Sequence, residues 1–219
     1  EDVTASGNVT ANLTGSGTVN IGEALTPVTV TGDFVVNAST HTGVIDIDTD
    51  GTSNVTIVTG SGADVIVADG TAASGKTHTI TTNGGIDTVT GSAGVDTINL
   101  GDGNDILSAS GGGNDIIDAG AGDDTLTMAT TLTAADSING GAGTDTLTAT
   151  IAADYTSNLT GVERISFEID DAASTPIAVN LTATTDLERL TLTGTLDDDA
   201  GTISGIVSGA TVRMSDAFL

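Results

Sequence analysis

Single aliphatic side chains punctuate the middle of this chain at a fixed interval. Val89, Ile98, Leu107, Ile117 and Leu126 follow one another at nine, nine, ten and nine residues. Their neighbours are mostly Thr, Ser and Asn, so each aliphatic marks a short strand with one buried and one solvated face. A period of that length exceeds any helical or strand repeat and indicates one supersecondary unit stacked on itself. Shorter alternating runs, Val9 to Leu13, Val28 to Val30, Phe34 to Val36, Ile45 to Ile47 and Val55 to Ile57, continue the strand pattern upstream between Gly, Asp and Ser. No helical period is evident. The expected fold is all-β: residues 1–58 form an N-terminal Thr-rich β segment, 59–149 the repeat core and 150–219 a C-terminal solenoid-like segment.

The core units read NGGIDTVTG, SAGVDTINL, GDGNDILSA, GGGNDIIDA and GAGDDTLTM. Asp87, Asp96, Asp105, Asp115 and Asp124 each stand two residues after Gly85, Gly94, Gly103, Gly113 and Gly122, and two before the aliphatic. Calcium takes six to eight oxygens at roughly 2.3–2.6 Å, so a turn that holds it must offer carboxylates and expose carbonyls. Glycine permits the tight backbone that does so. Asp64 in GSGADVIV and Asp145 in GGAGTDTLT are further good copies. Asp136 lacks its glycines, and His78 occupies the Asp position nine residues before Asp87 with Ile80 as its aliphatic. The candidate metal set is therefore Asp64, Asp87, Asp96, Asp105, Asp115, Asp124 and Asp145 with Gly85, Gly94, Gly101, Gly103, Gly111, Gly113, Gly120, Gly122, Gly141 and Gly143.

These nonapeptides resemble the RTX (repeats-in-toxin) family. The resemblance implies a right-handed parallel β-roll with two nonapeptides per coil and calcium-binding turns, flanked here by further short-strand segments. Units separated by one then share an edge. Asp87, Asp105 and Asp124 are expected on one edge and Asp96 and Asp115 on the other, with Asp145 ending its row. The 64/87 and 115/136 pairs are expected to be incomplete or strained. Stacked pairs of this kind suggest about three to five calcium ions.

Composition agrees with a chain that needs cations. The net charge is −26, from thirty acids against Lys76, Arg164, Arg189 and Arg213. Such a chain repels itself until cations neutralise it, which couples folding to binding. With no cysteine, calcium takes the cross-linking part that disulfides play in many secreted proteins. Four cationic side chains are too few for a nucleic-acid partner. No apolar run approaches the eighteen or so residues needed to span a bilayer, so membrane insertion is not expected. Glu1 opens directly into polar sequence, so a fragment or processed product is expected.

Other features carry less. Asp46, Asp48, Asp50 and Gly51 spell D-x-D-x-D-G, but an EF-hand requires Glu where Ile57 stands, leaving a looser calcium site or a solvated strand. Asp197 to Asp199, with Asp170 and Asp171 about one rung earlier, read as solvated turns, with a metal site as the alternative. GVERISFEI and DLERLTLTG look like two versions of one rung and GATVRMS like a third, which would ladder Arg164, Arg189 and Arg213. With only His41 and His78, no zinc-protease signature and no G-x-S-x-G elbow, the chain is not expected to be an enzyme. Six N-x-S/T sequons, at Asn8, Asn12, Asn37, Asn54, Asn158 and Asn180, are mostly compositional in a Thr-rich chain.

The Thr- and Gly-rich, Lys-poor style, with GGAGTDTLT followed by LTGVERISF and VSGATV, is similar to RTX-bearing surface-layer (S-layer) proteins of Gram-negative bacteria, Caulobacter among them. That resemblance implies a secreted, extracellular protein that self-associates into a calcium-dependent lattice on the cell surface, with a polysaccharide or lipopolysaccharide anchor. A segment of a large RTX adhesin and the secretion tail of a type I secreted enzyme or toxin are the alternatives. The ending Ser215 to Leu219 resembles a type I secretion tail.

Overall fold

The computed structural model describes residues 4–5, 7–22, 29–30, 32–49, 53–68, 76–109, 112–128, 132–170, 177–195 and 202–214. Among the described residues every regular element is a strand, and every strand pair is parallel. The strands form a ten-stranded and an eight-stranded sheet, with a three-stranded and a two-stranded sheet beside them. Through the core the chain alternates between the two large sheets. Val65–Val67 lies in the first, Thr77–Thr81 in the second, Thr88–Thr90 in the first and Val95–Asp102 in the second. Each strand therefore pairs with one a full coil away, which is the β-solenoid expected from the period.

Register explains the single aliphatic per unit. In the first sheet Ile47, Ile66, Val89, Leu107, Leu126, Leu147, Ile165 and Leu190 stand one above another. In the second, Val36, Ile57, Ile80, Ile98, Ile117, Ile138 and Leu159 do the same. All are buried, and burying each contributes roughly 1.5–3 kcal/mol. Like side chains stacked in parallel register fill the core without large rings. Among the described residues the one aromatic contact, Tyr155 edge-on to Phe167 with centroids 5.8 Å apart, lies beyond the five regular repeat units. Beyond it Tyr155–Thr156, Ala178–Asn180 and Thr202–Ser204 form the three-stranded sheet.

One expectation changes, and one open choice narrows. Arg164 pairs with Arg189, but Arg213 falls opposite Thr191, with Thr211 against Arg189, so the cationic ladder has two rungs in register instead of three. Asp46 and Asp48 belong to strand Ile45–Asp48, opposite Val65 and Val67. Strand pairing, not a calcium loop, sets their backbone. Asp50, Gly51, Asp171, Asp197 to Asp199 and Ser215 to Leu219 lie outside the described residues.

The solenoid has two edges in the repeat region. The first carries the chain from the second sheet to the first, as residues 103–105 do between Val95–Asp102 and Ile106–Ala109. The second carries it back, as residues 91–94 do between Thr88–Thr90 and Val95–Asp102.

Candidate metal centre

On the first edge the aspartates form a hydrogen-bonded file. The amide N–H of Asp64 donates to Oδ1 of Asp87 at 2.7 Å, and that of Asp87 to Asp105 at 2.7 Å. Asp105 donates in turn to Asp124 at 2.7 Å and Asp124 to Asp145 at 2.8 Å. One carboxylate oxygen of each is thereby engaged with the coil before it. The other is not: Oδ2 of Asp64, Asp87, Asp105, Asp124 and Asp145 is buried without a hydrogen-bond partner. A carboxylate oxygen shut away from water in this state costs several kcal/mol unless a cation meets it.

Glycines bring backbone carbonyls to the same place. Gly85, Gly103, Gly122 and Gly143 stack two residues before the aspartates, and a Cβ on any of them would overlap the carbonyl oxygen of the glycine one coil earlier. Gly101, Gly120 and Gly141 form a parallel column four residues before the aspartates, each in the left-handed region at φ of 98° to 101°. Asn83, at φ 64°, takes the equivalent place in its own coil. Among the described residues no three carboxylate or imidazole side chains converge on one point. A cation here would take its remaining ligands from carbonyls. Carboxylate and carbonyl oxygens without sulfur or imidazole suit calcium, so the residues present fit the ion.

The proton already registers this environment. Burial pushes the Asp87 carboxyl up to about 6, although the Asp64 amide and the Thr82 hydroxyl lower it; Asp105 and Asp64 add to the rise. Asp124 is also up to about 6, from burial first, with the Asp105 amide lowering it and Asp145, Asp105 and Asp123 adding. Burial raises Asp105 and Asp145 as well. These groups hold protons more tightly folded than unfolded, where Asp titrates near 3.9. For Asp87 and Asp124 the contribution to metal-free stability is therefore fullest below about pH 4 and is lost as pH rises through about 6. Calcium must displace those protons, so its affinity climbs over the same window. Circular dichroism of the chelated chain from pH 4 to 8 should show β structure lost toward high pH; a gain would contradict the assignment.

The second edge is built differently. Asp96 donates its amide N–H to Oδ1 of Asp115 at 2.9 Å, and Asp115 donates to Asp136 at 2.9 Å. The Asp96 Oδ2, however, accepts the Ser92 amide at 2.9 Å, and its Oδ1 accepts the Ser92 hydroxyl at 3.1 Å. Asp136 Oδ2 accepts the Thr133 amide at 2.8 Å and the Thr133 hydroxyl at 3.2 Å. His78 lies opposite Asp96 in strand register, buried, with Nδ1 at 3.4 Å from Asp96 Oδ1. The degenerate rung thus keeps its shape with an imidazole in the carboxylate position. Asp115 is pushed up to about 7 by burial, lowered by the Asp96 amide and raised further by Asp96 and Asp136.

The edge assignment of the aspartates agrees with the expected parity. The 64/87 and 115/136 pairs make the same contact as the others. Gly94 and Gly113 stack on the second edge, a Cβ on Gly113 overlapping the Gly94 carbonyl; Gly111 lies outside the described residues. Asp145 does not end its row. Its amide donates to Oε2 of Glu163 at 2.7 Å. A search for Asp alone passes over Glu163, yet G-x-E-x-(aliphatic) is legible in Gly161, Glu163 and Ile165. Ser92 and Thr133 carry a subtler signal, a hydroxyl residue three or four positions before the Asp.

The RTX calcium-binding nonapeptide repeat family matches the chain in four copies, over residues 49–71, 79–107, 108–127 and 130–155. The chain carries RTX calcium-binding repeats. Such repeats bind calcium and are typical of secreted, extracellular proteins. The RTX copies span every aspartate of both edges and stop before Glu163. Comparisons with curated proteins and with solved structures give no match.

Proposed function

We propose that this chain is a structural, non-enzymatic RTX module of a secreted surface-layer protein, which folds on calcium outside the cell and self-associates into a two-dimensional lattice. The observation that carries the reading is the file of buried, unpartnered carboxylate oxygens from Asp64 to Asp145. A chain of net charge −26 that buries such oxygens needs divalent cations before it compacts, which suits secretion unfolded into millimolar calcium. The two histidines support a non-enzymatic role, since both are buried in the solenoid. Binding about five ions removes roughly ten charges and lets like-charged copies approach.

The end regions of the described solenoid also favour association. Residues 7–22 carry no charge, and Arg213 is the only charged residue in 202–214, where Ile203, Val212 and Met214 are exposed. Light scattering and electron microscopy of the complete protein across a calcium series test the reading. Folding is expected first, and assembly into sheets at equal or higher calcium. A folded protein that stays monomeric at millimolar calcium and high concentration would overturn the lattice. Binding to a sugar or host surface would then support the adhesin alternative, and a catalytic module in the full gene the secretion-tail alternative.

A further inference from the structure

We propose that the cations form a single file along the first edge, running from Asp64 to a terminal site closed by Glu163 outside the repeats, and that the second edge takes none. This rests on the calcium reading and makes it specific to one side of the solenoid.

The two edges differ in what their carboxylates already hold. On the first, every aspartate from Asp64 to Asp145 keeps one buried oxygen without a partner. On the second, both oxygens of Asp96 are held, Oδ2 by the Ser92 amide and Oδ1 by the Ser92 hydroxyl. Asp136 spends its Oδ1 on the Asp115 amide and its Oδ2 on Thr133. Asp115 lies between them, so a cation that takes an Oδ2 from either neighbour must displace the Ser92 or the Thr133 amide from that carboxylate. That leaves an N–H without its acceptor, an unfavourable exchange. First-edge cations displace nothing.

Glu163 completes the file by the same geometry. Arg164 pairs with Thr146, which places Glu163 one coil beyond Asp145. Its Oε2 accepts the Asp145 amide at 2.7 Å, the contact each aspartate makes with the coil before it. Asp145 is itself buried and its Oδ2 has no hydrogen-bond partner. Two carboxylates, Asp145 with its orphaned oxygen and Glu163, thus stand one coil apart, the second beyond the final RTX copy, which ends at residue 155. At the other end the file stops at Asp64, because the group donating to its Oδ1 is the amide of Ile45, which brings no carboxylate.

Crystals of the calcium-loaded chain, with ions located by anomalous scattering, read the arrangement directly. Ions are expected beside Asp87, Asp105, Asp124 and Asp145, including one between Asp145 and Glu163, and none beside Asp96 or Asp136. Calorimetric titration with calcium gives a second readout. Glu163→Gln should bind one ion fewer than the parent, while Asp96→Asn and Asp136→Asn should retain the full count. An ion at Asp96 or Asp136, an empty Asp145–Glu163 position, or an unchanged count in Glu163→Gln overturns the single file and leaves calcium binding standing. Failure of the parent chain to take up calcium at all overturns the calcium reading itself.

Discussion

Chelating calcium at neutral pH is expected to unfold residues 60–148, and adding magnesium is expected to leave them unfolded. Five first-edge aspartates bury an oxygen with no partner, inside a chain whose net charge is −26. Each ion present at a hundred times its dissociation constant stabilises the folded state by about 2.7 kcal/mol. Several such ions together reach the whole stability of an ordinary domain, about 5–15 kcal/mol. Because each coil leans only on its neighbours, loss of the file propagates along the stack. Magnesium demands octahedral geometry at about 2.0–2.1 Å and sheds water reluctantly, a poor match to carbonyls and carboxylates set one coil apart. Circular dichroism with a chelator and then each cation, with hydrogen exchange to localise the change, measures this. A β signal that survives chelation, or returns fully in magnesium, would contradict it.

The second large effect separates two glycines that look alike in the repeat. Gly122→Ala should lower stability by at least about 3 kcal/mol, beyond the usual effect of a single substitution, and weaken calcium binding. Its backbone sits at φ 139°, and an added Cβ would overlap the Gly103 carbonyl oxygen and come within 2.9 Å of Asn104 Oδ1. The strain and the collision both involve backbone, so no side-chain rotation relieves them. Gly84→Ala should stay within about 0.5 kcal/mol of the parent. A Cβ there meets nothing closer than the Asp102 carbonyl at 3.7 Å. The same column holds Asp102, Ala121 and Ala142 in the following coils, so a side chain is already accommodated in it. Thermal melts and calcium titrations of the two variants provide the comparison, and similar losses in both would refute the stacking argument.

Much of this protein was legible in its linear pattern, because the decisive interactions repeat with the period of the chain. The spacing of Val89, Ile98, Leu107, Ile117 and Leu126 determined the strands and their inward faces, and these residues do form the buried columns. The intervals between aspartates determined which of them share an edge, since two units close one coil. The 64/87 and 115/136 pairs, expected to be incomplete or strained, make the same amide-to-carboxylate contacts as the rest. What the tertiary structure alone decided was the state of each carboxylate oxygen. Asp96 and Asp105 occupy the same place in the G-x-D-x-(aliphatic) unit, yet Ser92 folds back on the first while nothing reaches the Oδ2 of the second. Glu163 joins the file although no Asp marks the place, because a carboxylate in that register accepts the Asp145 amide whichever side chain carries it. The partners that settle these states lie a coil of 18 to 23 residues away or in the turn just before, and only stacking brings them within hydrogen-bond range.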